Sequence, residues 1–252
     1  MLTFNGVHKS FGEHAVLQGI DFQLEAGTTY ALLGRNGAGK TTLLQLALDL
    51  LAPDAGTIYI QGHPVHDLPP SMKRQMGVVS EPTMLLDELS GRDLLRFSAE
   101  LYKLPSEEAA QRIDGLIQYF FPEEEDSLDR LVGDYSTGMR KKIALCAAVL
   151  HRPPLLLLDE PFSGLDPSAA RRVVQFIRRY QNGSRALLFS SHALNYVEST
   201  ATHIAVLHEG SIAFDDTVAR FLDDGAQQLE THLLQMLGAG ATEEELQQLD
   251  WL

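Results

Sequence analysis

Residues Gly34-Arg35-Asn36-Gly37-Ala38-Gly39-Lys40-Thr41 follow the spacing G-x-x-x-x-G-K-[ST], which suits the holding of a chain of phosphates. Its glycines let the backbone curl until successive N–H groups converge, and a helix opening at Thr41 adds the positive end of its dipole to that nest. Lys40 is placed to reach β- and γ-phosphates and Thr41 to offer a hydroxyl to Mg²⁺. Gly34, Asn36, Gly37, Ala38, Gly39, Lys40, Thr41 and Thr42 make up this phosphate-binding set. A second pair lies far downstream. Asp159 and Glu160 follow the apolar run at residues 155–158, two carboxylates at the end of a buried strand, where open α/β sheets place their ligands. Asp159 suits Mg²⁺, directly or through water, and Glu160 suits the polarisation of a water attacking a γ-phosphate in line. Alone, such a pair reads as a turn; the Lys40 loop upstream is what makes it a candidate site.

The elements that must position these groups are legible from periodicity. The loop joins a short apolar strand, residues 29–33, to a helix expected over 41–50. Residues 2–7, 20–24 and 57–60 alternate apolar and polar side chains between Gly-containing turns, which predicts an antiparallel sheet beside the phosphate site. The period then changes. Helices are expected over 93–103, 107–121 and 139–151, with Pro105-Ser106 stopping one and capping the next, so a helical lobe is inserted between strands. The continuous apolar runs at 155–158 and 186–189 predict strands buried on both faces of a parallel sheet. The acidic run at 122–129 is a conceivable metal site, but a solvated loop is the simpler reading.

Composition sets the boundaries of the problem. A chain of 252 residues with 44% hydrophobic content buries one large core, or a core plus a lobe. The single cysteine, Cys146, lies in an apolar run and reads as a buried, inert thiol, which fits a reducing compartment. No charged-then-apolar leader opens the chain, and no apolar stretch approaches the roughly 20 residues needed to cross a bilayer. A cytoplasmic protein is expected, with any membrane association made through a partner. The net charge of −14 argues against nucleic acid as a partner. More than half of that charge falls in residues 215–252, which hold nine acids against one base, Arg220.

With these residues in hand the chain resembles, over about residues 2–214, the nucleotide-binding subunit of an ATP-binding-cassette (ABC) transporter. The resemblance implies an α/β fold: a P-loop NTPase core with a mostly parallel sheet, an antiparallel β subdomain and an inserted helical subdomain at about residues 83–152. It also implies ATP and Mg²⁺ as ligands. Further stretches appear in the family's order. Phe11 resembles the aromatic residue that stacks on adenine. Tyr135-Ser136-Thr137-Gly138-Met139 stands where the family carries its signature, usually written LSGGQ; Ser136 would cap the next helix and, with Gly138 and the following N–H groups, hold a γ-phosphate. Ser163-Gly164-Leu165-Asp166 resembles the D-loop, which adds Asp166 to the nucleotide-binding set. His192, after Ser190-Ser191, resembles the switch histidine that contacts the γ-phosphate and the catalytic glutamate. The implied catalytic set is Lys40, Glu160 and His192.

Two departures stand out. Thr137 replaces a glycine and Met139 a glutamine of the signature, a pattern resembling the exporter-associated subgroup. Glu81 stands four residues beyond Gly77, where the family usually carries a glutamine. As a carboxylate it joins Thr41 and Asp159 as a candidate metal ligand, yet beside Asp159, Glu160 and a triphosphate it adds repulsion that an amide avoids.

In the family the signature serine faces the phosphate loop across a dimer interface. The resemblance therefore implies a homodimer or a paired ATPase subunit, with each ATP sandwiched between Lys40 of one subunit and Ser136 of the other. It implies a separate transmembrane permease that holds the chain on the cytoplasmic face and is driven through the helical lobe. Two other readings are a non-transport ABC ATPase acting in translation or DNA repair, and a weakly hydrolysing regulatory module. The single cassette, the acidity and the intact Lys40, Asp159, Glu160 and His192 weigh against them. Residues 215–252 are expected as a separate acidic, helical extension. It would contain a leucine-bearing helix over 228–237 and a capping box at Thr242-Glu243-Glu244-Glu245, packed for stability or serving regulation.

Overall fold

The computed structural model describes residues 1–222 and 228–237. Strands β1 (Leu2–Phe11) and β2 (His14–Leu24) form an antiparallel pair, and β3 (Thr29–Leu33) leads into helix α1 (Lys40–Ala47). Strand β4 (Ala55–Ile60), the two-residue β5 (His63–Pro64), α2 (Pro70–Lys73) and β6 (Met76–Val79) follow. Helices α3 (Gly91–Leu101), α4 (Ser106–Phe120) and α5 (Thr137–Val149) come next. The remainder runs β7 (Leu155–Leu158), α6 (Pro167–Tyr180), β8 (Ala186–Ser190), α7 (Leu194–Thr200), β9 (His203–His208), β10 (Ser211–Thr217), α8 (Val218–Phe221) and α9 (Leu229–Met236).

Two sheets result, as the alternating and continuous apolar patterns predict. The first is antiparallel, in the order β2-β1-β4-β5. The second has the order β10-β9-β3-β8-β7-β6 and is parallel except for its edge strand β10. Its central strands bury both faces. Leu156 and Leu158 enter the core shared with α3 to α6, while Leu155 and Leu157 enter the core shared with α1 and the antiparallel sheet. A strand with water on neither side has no use for alternation, which explains four consecutive leucines. Cys146 is fully buried, and burial pushes its thiol up, away from the reactive thiolate.

Four expectations change. Helix α1 stops at Ala47 rather than Leu50, which is exposed. Ser106 is the first residue of α4 and Pro105 its N-cap, so no side chain caps that helix. The acidic run is solvated as expected, with Glu123, Glu125, Asp126 and Asp129 exposed, but Glu125–Asp129 forms a 3-10 turn rather than a loop. Glu124 pairs with Lys142, while Glu125 and Asp129 pair with Arg92.

The boundary expected at residue 215 falls inside β10. Asp215 and Asp216 pair with Ala205 and Ile204 of β9, and the Tyr30 hydroxyl donates to Asp215 Oδ1 at 2.8 Å. Charge composition was misleading there, because both acids belong to an edge strand of the main sheet. Beyond it, Phe221, Leu229, Leu233 and Leu237 bury in the same core as the helical lobe, and the helix expected over 228–237 is present as α9. The Thr242 capping box lies outside the described residues.

Candidate functional site

Sheet order gathers the candidates. Strand β8 lies between β3 and β7, and these three with β6 run parallel. The Lys40 loop after β3, His192 after β8, Asp159 and Glu160 after β7 and Glu81 after β6 therefore all leave the same carboxyl edge, the place where such sheets bind ligands.

The loop from Gly34 to Gly39 has the backbone its sequence predicts. Gly39, the N-cap of α1, holds φ 102°, and a Cβ there would come within 2.9 Å of Leu17 Cδ2. Gly34 holds φ 152°, and a Cβ would meet Leu207 O at 2.4 Å. Neither position admits a side chain. Arg35, Asn36, Gly37 and Thr41 are exposed, whereas Lys40 is buried. The Lys40 ammonium donates to Gly34 O at 2.8 Å and Arg35 O at 3.1 Å. Burial pulls its pKa below the ordinary lysine value, against the opposing charges of Glu160 and Asp159.

Asp159 is buried, and its N–H donates to Val79 O at 2.7 Å, which continues the β6–β7 pairing past the strand end. Its neighbour Glu160 sits at φ 47°, in the left-handed region where a non-glycine residue is strained. The two carboxylates meet different neighbours, that of Asp159 meeting Ser190 and that of Glu160 meeting His192. Ser190, the last residue of β8, secures both: its hydroxyl donates to Asp159 Oδ1 at 2.5 Å and accepts from the Glu160 N–H at 2.9 Å. In the sequence Ser190 stands out only as a neighbour of His192; the signal of its role is a hydroxyl ending the otherwise apolar β8.

His192 Nδ1 lies 2.9 Å from Glu160 Oε2. The two atoms are close but not aligned, so Oε2 is buried with no hydrogen-bond donor. The Glu160 side chain is 16% exposed and that of His192 64%. A buried, unpaired carboxylate oxygen beside an imidazole is poised to accept a proton.

The signature stretch has the expected capping geometry: Ser136 is the N-cap of α5, its hydroxyl accepting from the Met139 N–H at 3.3 Å. Ser136 and Thr137 are exposed. Thr137 fits because Gly164 leaves room for it; a Cβ on Gly164 would lie 2.9 Å from Thr137 Cγ2. Asp166 is engaged in capping α6, accepting from Ser168 N at 2.8 Å and Ala169 N at 3.0 Å, and these bonds hold its carboxyl below the usual range. Phe11 is half exposed at the end of β1. The Glu81 carboxylate is paired with Lys141 of α5.

The comparisons with known proteins agree with this geometry. The model of the ABC transporter family matches residues 17–163. This chain belongs to the ABC transporter family, as an ATP-binding subunit. It is 33% identical over 216 residues to the daunorubicin resistance ATP-binding protein DrrA3 of Streptomyces coeruleorubidus, covering 86% of this chain and 68% of that one. It is 31% identical over 210 residues to the Nod factor export ATP-binding protein I of Cupriavidus metallidurans, covering 83% and 69%. A solved ATP-binding subunit of an ABC transporter superposes with TM-score 0.85 at 28% identity, over 94% of this chain and 99% of the other. A dimeric ABC cassette bound to ADP and phosphate shares the fold at TM-score 0.77 and 21% identity, over 86% and 99%.

Proposed function

We propose that this chain hydrolyses ATP to ADP and phosphate at the β3–α1 loop and uses the cycle to drive export through a separate membrane permease. The observation that carries the reading is the Glu160 carboxylate, buried without an aligned donor 2.9 Å from His192, on the sheet edge that also bears Lys40 and Asp159. Lys40 exchanges its two carbonyl partners for phosphate oxygens, and the loop N–H groups and the α1 dipole hold the remaining charge. Glu160 orients water and takes its proton, while His192 fixes the carboxylate. Phe11 and Asp166 border the nucleotide.

Thr41 and Asp159 suit Mg²⁺, since both offer oxygen. Among the described residues no group of three or more His, Cys, Asp or Glu stands ready as a protein-only cage. That fits a cation held by one carboxylate together with substrate phosphates. Once bound, the ion supplies charge neutralisation at the β- and γ-phosphate oxygens.

The exposed Ser136 and Thr137 complete the site of a second subunit, so that ATP closes a dimer and hydrolysis releases it. No described helix is long and apolar enough to cross a membrane. We assign permease docking to a groove of about 440 Å³ lined by Ser80, Met84, Leu86, Phe97 and Leu101, where Met84 is 83% exposed. Docked there, the chain would sit on the cytoplasmic face of the membrane, held by its partner. The names of the DrrA3 and Nod factor relatives favour export. The test is ATP turnover of the chain alone, co-purified with a neighbouring permease, and with added nucleic acid. Stimulation by the permease alone is expected; stimulation by nucleic acid alone supports the non-transport reading instead.

A further inference from the structure

Lys141 is the most deeply buried cation of the helical lobe, its side chain 3% exposed, and Glu81 is the one carboxylate paired with it among the described residues. A lysine removed from water keeps its charge only if a counter-charge follows it, and an amide at position 81 would supply none. The pairing joins two parts of the site. Glu81 lies two residues beyond Val79, whose carbonyl accepts the Asp159 N–H, whereas Lys141 lies on the helix whose N-cap is Ser136. Arg140 reinforces the same junction, donating to Asp87 Oδ1 at 2.7 Å and to Val132 O at 3.0 Å. Two successive residues of α5 thus grip the segment that follows β6.

We propose that Glu81 is the carboxylate half of a tether to Lys141 that positions α5 and Ser136, and is not a Mg²⁺ ligand. A carboxylate that left for the metal would strand Lys141 in the interior, so the acid at 81 and the lysine at 141 explain each other. The expectation of Glu81 as a metal ligand is replaced by this role. Glu81 and Lys141 are positioning residues. The inference rests on the ATPase reading for its consequence, but the pairing itself is tested without nucleotide.

Three full-length variants decide it: Glu81→Gln, Glu81→Asp and the double variant Glu81→Gln/Lys141→Met. Thermal unfolding without nucleotide should give a lower Tm for Glu81→Gln and recovery in the double variant, where no buried charge is left alone. Binding of a fluorescent ATP analogue, titrated with Mg²⁺, should give half-saturating Mg²⁺ within twofold of the parent for all three.

In a Glu160→Gln background, Glu81→Asp should retain ATP-driven dimerisation, while the double variant, though its Tm recovers, should need at least fivefold more ATP. A tenfold rise in half-saturating Mg²⁺ for Glu81→Gln would overturn the proposal, as would a double variant no more stable than Glu81→Gln, or one that dimerises like the parent. Lys40→Ala separates the two readings: if the parent binds the analogue no better than this variant does, the ATPase reading fails, while the thermal comparison still judges the tether.

Discussion

At the scale of single residues, the site turns on the contrast between Asp159, whose Oδ1 accepts from Ser190, and Glu160, whose buried Oε2 has no donor. Ser190 enforces that contrast through one hydroxyl shared between the Asp159 carboxylate and the Glu160 N–H. Replacing Ser190 with alanine leaves a buried carboxylate oxygen and a backbone donor without partners, a cost of about 1–3 kcal/mol. Thermal unfolding should register that loss, and ATP turnover should fall with it while ATP affinity changes little. Unchanged turnover in the folded variant would show that the Glu160 backbone holds its left-handed turn without help. The acids themselves were readable from the sequence because two carboxylates ending a leucine run are conspicuous. The role of Ser190 was not, since its two bonds cross from β8 to β7 and depend on a strand order that no local pattern encodes.

At the scale of elements, periodicity found several strands that are half-buried or wholly apolar and the helices α3, α4 and α5, because burial dictates those patterns directly. It missed α6, where Ala169, Ala170, Val173, Val174, Ile177 and Tyr180 are buried at helical spacing. It passed over β9, whose run Ile204-Ala205-Val206-Leu207 is as buried as β7, and it cut β10 because charge was taken as a boundary. An edge strand tolerates acids on its open side, so charge and domain limits need not coincide. The junction of the helical lobe with β6 offers a pH test. His151 stacks on Tyr102 with centroids 3.5 Å apart, its Nε2 within 3.1 Å of Met76 O, and burial pushes its pKa down from 6.5 to about 4. The folded state therefore keeps the ring neutral where the unfolded chain already binds a proton. Its contribution is complete above about pH 6.5 and is lost as pH falls toward 4. Stability measured across that window should decline with acidity in the parent and decline less in His151→Gln; parallel curves would exclude His151 as a source. Paired carboxylates such as Asp54 and Asp93 are held below 3.8 and act only at lower pH.

At the scale of the whole molecule, two cores on opposite faces of one sheet hold the nucleotide edge rigid, while the segment after β6 and helix α5 connect that edge to the exposed apolar groove. Helix α9 belongs to this body: Leu229, Leu233 and Leu237 are buried in the larger core, each contributing roughly 1.5–3 kcal/mol. Deleting residues 226–252 should lower the Tm by roughly 10 °C or more while leaving turnover per folded molecule and permease stimulation intact. Altered stimulation at unchanged Tm would instead make this segment regulatory. The central claim is that Glu160 performs the chemistry of an ATP-driven dimer, and Glu160→Gln tests it, because the amide keeps the size of the side chain and loses the base. A single preparation, assayed for turnover, ATP binding and dimer formation, should show turnover reduced about 100-fold or more, ATP affinity preserved and an ATP-bound dimer that accumulates. Turnover near that of the parent would contradict the account and remove Glu160 from the reaction.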